Sequence, residues 1–193
     1  MSLTGFLHRV IGILDEAGVP YMLTGSLASA YYAIPRATQD LDVVIATEKD
    51  GVEKVVQGLR SAEWYVDRNA ALDAHRTRGQ FNAIDPSSGW KVDFIIRKDR
   101  PYSRTEFDRR AEISLLDLEV SIASLEDILI AKLEWGRLGD SALQRRDVLQ
   151  LLERAWERLD RDYVEKWVAE LGLRSEWEDA LKKLKKAKDE DGV

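Results

Sequence analysis

The stretch from Tyr21 to Ala46, YMLTGSLASAYYAIPRATQDLDVVIA, constrains the fold of this chain more than any other. A short apolar run, Tyr21 to Thr24, ends in Gly25-Ser26 and reads as a strand. Ser26 is a good N-cap for a helix reaching about Tyr32. Pro35 ends that helix, Arg36 to Gln39 form a loop, and Leu41 to Ala46 reads as a second strand. Asp40 and Asp42 stand at the mouth of this strand. Side chains alternate along a strand that rises about 3.3 Å per residue, so both carboxylates share one face with Cα atoms ~7 Å apart. Leu41, Val43 and Ile45 point the other way, into a core. Two like charges so placed repel each other unless a cation lies between them, and hard oxygen ligands suit Mg²⁺.

The rest of the chain bounds what such a site serves. With 193 residues there is room for one large domain or two small ones around a sizeable core. The hydrophobic (45%) and charged (33%) fractions are those of a soluble globular protein, and no apolar run approaches the ~20 residues that span a bilayer. No basic stretch followed by an apolar segment opens the chain, so no export signal is expected. Together with the lack of cysteine this makes the cytoplasm the expected location and excludes thiol chemistry. A net charge of −6 argues against a protein that coats nucleic acid.

Ahead of the central stretch, Leu3, Phe6, Leu7, Val10, Ile11 and Leu14 recur at helical spacing, and Gly18 stops that helix. After it, Thr47 caps a helix running to about Ser61, and Trp64 to Val66 forms a short strand. Asn69 to Arg78 reads as a loop with a helical turn. Gln80 to Ile84, the turn Pro86-Ser-Ser-Gly89 and Trp90 to Ile96 read as a hairpin, with Asp93 a lone carboxylate sharing a face with Lys91 and Ile95. Arg97 to Arg110 is charged and irregular, with six basic and three acidic residues, a net of +3, and is a candidate polyanion surface. Ile113 to Ile122 is one strand, or two bent pieces around Asp117. From Ser124 onward the pattern is helix only, with a first helix starting at Ser124 and further segments near 141–158, 161–171 and 175–188. The composition divides the chain into residues 1–120 and a helical region, 121–193, expected to pack on it.

Strand, Gly-Ser, helix, Asp-Leu-Asp on a strand and a later Asp in Val92-Asp93-Phe94 form an ordered set. It resembles the nucleotidyltransferase superfamily of the DNA polymerase β type. That family's pattern is an apolar residue, Gly, then Gly or Ser, a spacer like the thirteen residues between Ser26 and Asp40, and Asp-apolar-Asp. A third carboxylate lies on an adjacent strand. Thr24 departs from the pattern, which prefers an apolar residue before the glycine. The resemblance implies an α/β fold, a mixed β-sheet flanked by helices, followed by a C-terminal helical bundle. It implies transfer of NMP from ATP or another NTP to a hydroxyl, with pyrophosphate leaving. Gly25 and Ser26 would then hold phosphate at a helix N-terminus. Asp40, Asp42 and Asp93 would hold two Mg²⁺ ions, or Mn²⁺, and Asp93 would also draw the proton from the acceptor hydroxyl. The acceptor implied is the end of a tRNA or other RNA, a protein side chain or a small molecule. A catalytically inactive nucleotide- or partner-binding module of the same fold is the alternative.

The segment SLEDILIAKLEWGRLGDSALQRRDVLQLL, Ser124 to Leu152, is similar to a motif of AbiEii-like abortive-infection nucleotidyltransferases. There a helix carries a Lys and an Arg-Asp pair opens the next. Arg36-Ala-Thr38 ahead of Asp40 fits the same group. Membership would imply a toxin with an antitoxin protein as partner; Gln150 departs from that group's pattern. Lys132 lies inside the apolar stripe of its helix. Its ammonium either snorkels to water or meets an anion, a triphosphate or Asp93. Asp147 reads as a structural partner for Lys132 or Arg146, and Arg36 either binds phosphate or closes its loop. Trp135, Trp156, Trp167 and Trp177 are expected to pack the helices, while His8 and His75 have no partner in sequence.

Overall fold

The computed structural model describes residues 2–33, 40–139 and 141–191, with side chains to residue 189. The chain forms two compact units, one of Met1–Leu27 with Ala37–Ala123, the other of Ala28–Arg36 with Ser124–Val193. In chain order the first part runs α1 (Leu3–Ala17), β1 (Tyr21–Thr24), α2 (Gly25–Tyr32), β2 (Asp40–Ile45), α3 (Lys49–Ser61) and β3 (Tyr65–Val66). It continues through α4 (Arg68–Thr77), β4 (Gln80–Ile84), β5 (Lys91–Ile96), α5 (Pro101–Asp108), β6 (Ala111–Leu115) and β7 (Leu118–Ile122). The strands form one mixed sheet in the order β3-β4-β5-β2-β1-β7-β6. β2 is parallel to β5 and β1 to β7; the other neighbours are antiparallel. This is the α/β architecture that the order of elements implies.

Alternation decides which face of the sheet is buried. Leu41, Val43 and Ile45 of β2 and Val92, Phe94 and Ile96 of β5 are shut off from solvent. They pair residue by residue across the two strands. The apolar stripes of α1 (Phe6, Leu7, Val10, Ile11, Leu14) and α3 (Val52, Val55, Val56, Leu59) are buried in the same unit. Helix α1 starts on the Ser2 hydroxyl, which accepts from the Gly5 amide at 3.2 Å, and ends at Gly18 in the left-handed region (φ 65°).

Two segments correct the sequence reading and a third decides between its two alternatives. Residues 68–77 form a full helix, α4, because the Asp67 carboxylate caps the amides of Asn69 and Ala70 at 2.8 and 3.1 Å. Its buried side chains are only Ala71 and Ala74, too small to leave an apolar signature. Residues 101–108 form another helix, α5, with Pro101 in its first turn. Its arginine-rich surroundings hid two buried rings: Arg110 stacks 4.4 Å from the centroid of Phe107, and Arg100 lies 5.3 Å from that of Tyr102. Residues 111–122 are a hairpin, the two-piece alternative around Asp117. Leu116 and Asp117 turn it with φ of 53° and 64°, the paired left-handed conformation of a two-residue type I′ loop.

The second unit contains α6 (Leu125–Gly139), α7 (Ala142–Ala155), a 3₁₀ turn at Trp156–Arg158, α8 (Arg161–Glu170) and α9 (Arg174–Asp191). Ser124 and Asp127 cap α6 reciprocally, the Ser124 hydroxyl donating to the carboxylate at 2.6 Å and accepting from the Asp127 amide at 3.2 Å. Trp167 and Trp177 are buried as expected, but Trp135 is 48% exposed. It lies off the stripe of Ile128, Leu129, Lys132, Leu133 and Gly136 that α6 buries. Among the described residues no helix is long and apolar enough to cross a membrane.

Asp85 fixes the turn between β4 and β5. It is 1% exposed; its carboxylate accepts from the Ser87 and Ser88 hydroxyls at 2.7 Å each and from the Arg9 guanidinium at 3.1 Å. Burial by itself raises its pKa, but the bonds from Ser87 and Ser88 and the Arg9 charge outweigh it and hold the group below the usual carboxylate range. A depressed folded pKa gives stability that is complete above the unfolded value and lost as pH falls through the folded one. Chemical denaturation of wild type and Asp85→Ala should therefore differ by ~2 kcal/mol at pH 7, with the gap shrinking below about pH 4.

Candidate active site

The register of four strands assembles the site. Asp42 of β2 pairs with Asp93 of β5 on one side and with Thr24 of β1 on the other. Asp93 in turn pairs with Asn82 of β4. Register partners point to the same face, and hydrogen-bonded strands lie ~4.8 Å apart, so Thr24, Asp42, Asp93 and Asn82 form a polar row across four strands. Asp40, two residues before Asp42, is on that face and opposite Lys91. The face opposite the apolar core thus carries all three aspartates singled out by the sequence.

Gly25 is tied to this row by space. It adopts φ 65°, and a Cβ built on it would fall 1.9 Å from Asp42 Oδ2 and 2.5 Å from Asp42 Cγ. The Asp42 carboxylate therefore rests directly over the Gly25 Cα, in room that only glycine leaves. Helix α2 begins at Gly25, so Ser26 lies in its first turn rather than ahead of it, as capping by Ser26 would require. The left-handed glycine makes the sharp exit from β1 that places these first-turn amides beside Asp42.

Lys91 completes the row, and the sequence reading gave it no role. Its ammonium lies 2.9 Å from Asp93 Oδ2 and 3.6 Å from Asp40 Oδ1. The hydrogen bond to Asp93 holds this amine above the ordinary lysine range, against burial, with the Asp93 and Asp40 charges adding to the effect. The signal was present in the alternation of β5, where Lys91 and Asp93 are two apart. What single-strand reasoning lacked was the pairing of β5 with β2 that sets Lys91 opposite Asp40. Asn82 escaped notice for the same reason.

Lys132 forms an ion pair within the helical unit. Its Nζ is 2.7 Å from Asp147 Oδ2 and 3.3 Å from Gln144 Oε1, and lysine and aspartate side chains are 5% and 8% exposed. This ion pair joins α6 to α7 inside the helical unit and borders a cavity of about 250 Å³ that Arg137, Arg145 and Lys183 also line. Arg36 lies outside the described residues, as do Pro35 and Thr38.

The chemistry of the donor set fits divalent ions. Asp40, Asp42 and Asp93 supply hard carboxylate oxygens on one face, the ligand type that divalent ions such as Mg²⁺ take. They do not form a ready-made cage: among the described residues no group of three acidic or imidazole side chains is arranged to hold a metal. The ammonium of Lys91 stands between two of the three instead.

No family model matches the chain, and no curated protein matches it in sequence. Solved structures do resemble it. The antibiotic-resistance factor ANT(2″)-Ia, seen in a solution structure, is 14% identical with a TM-score of 0.59, over 97% of each chain. The same factor in complex with adenylyl-2″-tobramycin is 15% identical with a TM-score of 0.57, over 92% of this chain and 99% of that one. The lincosamide antibiotic adenylyltransferase LnuA, bound to lincomycin, is 13% identical with a TM-score of 0.52, over 75% and 93%. A nucleotidyltransferase-like antigenic protein of Paracoccidioides brasiliensis is 17% identical with a TM-score of 0.53, over 91% of both chains. The chain has the nucleotidyltransferase fold.

Two substitutions test this local construction. Gly25→Ala is expected to lose ~1–2 kcal/mol from the left-handed backbone alone, and more from the clash with Asp42, seen as a lower melting temperature. Gly12→Ala in α1, where a Cβ meets nothing within 4 Å, should leave the melting temperature unchanged or raise it. In the helical unit, Asp147→Ala should cost ~3 kcal/mol by stranding the Lys132 ammonium, and adding Lys132→Met should restore part of that loss.

Proposed function

We propose that the protein is a nucleotidyltransferase that moves NMP from an NTP to a hydroxyl of a small molecule. The observation that carries this reading is the in-register pairing of Asp42 with Asp93 beside the Gly25 turn. The fold shared with ANT(2″)-Ia over 97% of the chain and with the adenylyltransferase LnuA over 75% supports the reaction class and a small-molecule acceptor. The net charge of −6 supports such an acceptor over a polyanion such as RNA.

In this reading the first-turn amides of α2 and the Ser26 hydroxyl hold phosphate oxygens, with Gly25 allowing close approach. Asp40, Asp42 and Asp93 would hold divalent ions, which when bound neutralise the triphosphate and the leaving pyrophosphate. Asp93 accepts the proton of the acceptor hydroxyl as its oxygen bonds to the α-phosphorus and the bond to pyrophosphate breaks. Thr24 and Asn82, at the two ends of the polar row, orient the acidic side chains or the substrate beside them. Arg36 stays in the proposal as a phosphate ligand. Lys132 is the other cationic candidate, and its nucleotide role requires the Asp147 pair to open. A toxin role rests on Lys132 with Arg146-Asp147, of which Lys132 and Asp147 also have a packing purpose in their buried ion pair.

A second reading has one observation in its favour. Lys91 places a fixed positive charge where a catalyst needs exchangeable ions, which suits a silent module that binds nucleotide or a partner without turnover. Pyrophosphate release decides between the two. With NTP, Mg²⁺ and a panel of aminoglycoside and lincosamide acceptors, wild type should release pyrophosphate. Asp42→Asn should be slower by ~10³-fold, the rate equivalent of several kcal/mol of lost charge stabilisation. A melting temperature raised by NTP and Mg²⁺ with no pyrophosphate under any condition would favour the silent module.

A further inference from the structure

Lys91 is the charged group of this site that neither the motif nor the reaction requires. Its geometry is specific. The strand register sets it opposite Asp40 and two residues before Asp93, and its single ammonium reaches both carboxylates, at 3.6 and 2.9 Å. Its side chain is 31% exposed, so the flexible stem has solvent to swing into. The Asp93 side chain is 16% exposed and the Asp40 side chain 56% exposed. An ammonium is a compact point charge with three donors on a flexible stem, without the rigid fork that makes an arginine–carboxylate pair hard to displace.

We propose that Lys91 is the resident counter-ion of the acidic site, holding Asp40 and Asp93 while nucleotide is absent and yielding to divalent metal that arrives with the NTP. The inference rests on the metal-dependent reading above and adds an order of events to it. Like charges on one sheet face would splay the carboxylates or draw metal in alone. With Lys91 between them, free metal has to displace an ammonium that costs it affinity. The metal–nucleotide complex overcomes this because phosphate supplies further ligands to the ion and a new partner to the released ammonium. The site is thereby kept closed to metal without substrate. Lys91 is a positioning residue in this scheme, acting through Asp40 and Asp93.

Binding of Mn²⁺, followed by electron paramagnetic resonance with and without a non-hydrolysable NTP, tests it without reference to turnover. Lys91→Met, which keeps the stem and removes the charge, should bind Mn²⁺ alone at least ~10-fold more tightly than wild type, since a charge a few ångströms away is worth more than 1.4 kcal/mol at a partly screened site. The gap should narrow when nucleotide is present. Lys91→Arg, which keeps the charge, should show no gain, and circular dichroism of both variants establishes that they fold. Equal or weaker Mn²⁺ affinity in Lys91→Met would overturn the role given to Lys91 and leave the metal reading standing. Wild type that takes no Mn²⁺ even with nucleotide, while Lys91→Met does, would show a permanent block and also overturn it. If neither protein binds Mn²⁺ under any condition, the metal reading itself fails with the inference.

Discussion

The parallel pairing of β2 with β5 is the constraint on which the site depends. Burying Leu41, Val43 and Ile45 against the same layer as Val92, Phe94 and Ile96 allows only registers that keep those residues on one face. A slip of one residue would turn the three apolar side chains of the slipped strand outward. The register that satisfies the core is also the one that aligns Asp42 with Asp93 and Asp40 with Lys91. Acidic groups that repel each other are thus held together by hydrophobic packing on the opposite side of the sheet. The energy comes from one face and the chemistry appears on the other.

Electrostatic order within that face follows from three local devices. The absence of a side chain at residue 25 gives Asp42 a seat against backbone rather than solvent. Lys91 balances part of the charge carried by Asp40 and Asp93. The turn after β4 is stiffened by Asp85, whose buried carboxylate gathers Ser87, Ser88 and Arg9, so that β5 starts from a fixed point six residues before Lys91. A loose turn there would blur the placement of both Lys91 and Asp93. Precision at the acidic face therefore begins in a hairpin loop that carries no reactive group.

How much of this was legible in the sequence depended on the range of the signal. Strong local patterns were read correctly: the helical repeat of α1 with Gly18, the strand–helix–strand order around Gly25, the Asp-x-Asp strand, the Asp93 hairpin and the later helices. Where the local signal was thin, reading failed. Helix α4 buries only alanines, and the rings under α5 are masked by the arginines stacked on them. The Leu116-Asp117 turn lacks the glycine or asparagine that usually marks a type I′ loop, so one strand was as reasonable as two. The site itself was half legible. Same-strand facts, such as Asp40 beside Asp42, follow from counting by two. Cross-strand facts, such as Lys91 against Asp40, need a pairing that no single segment encodes.

The course of α2 through the two units has a practical consequence for anyone wishing to take the molecule apart. Its start, Gly25 to Leu27, belongs with the sheet, whereas the stretch from Ala28 groups with the helices that follow Ser124. One tie is visible in detail: the Arg158 guanidinium donates to the Tyr32 carbonyl at 3.2 Å, across 126 positions of sequence. A fragment beginning at Ser124 would leave that arginine facing water and strip the bundle of a turn of helix. A fragment ending at Ala123 would carry the orphaned turn with nothing to cover it. The two bodies interleave along the chain, so neither can be excised with a single cut.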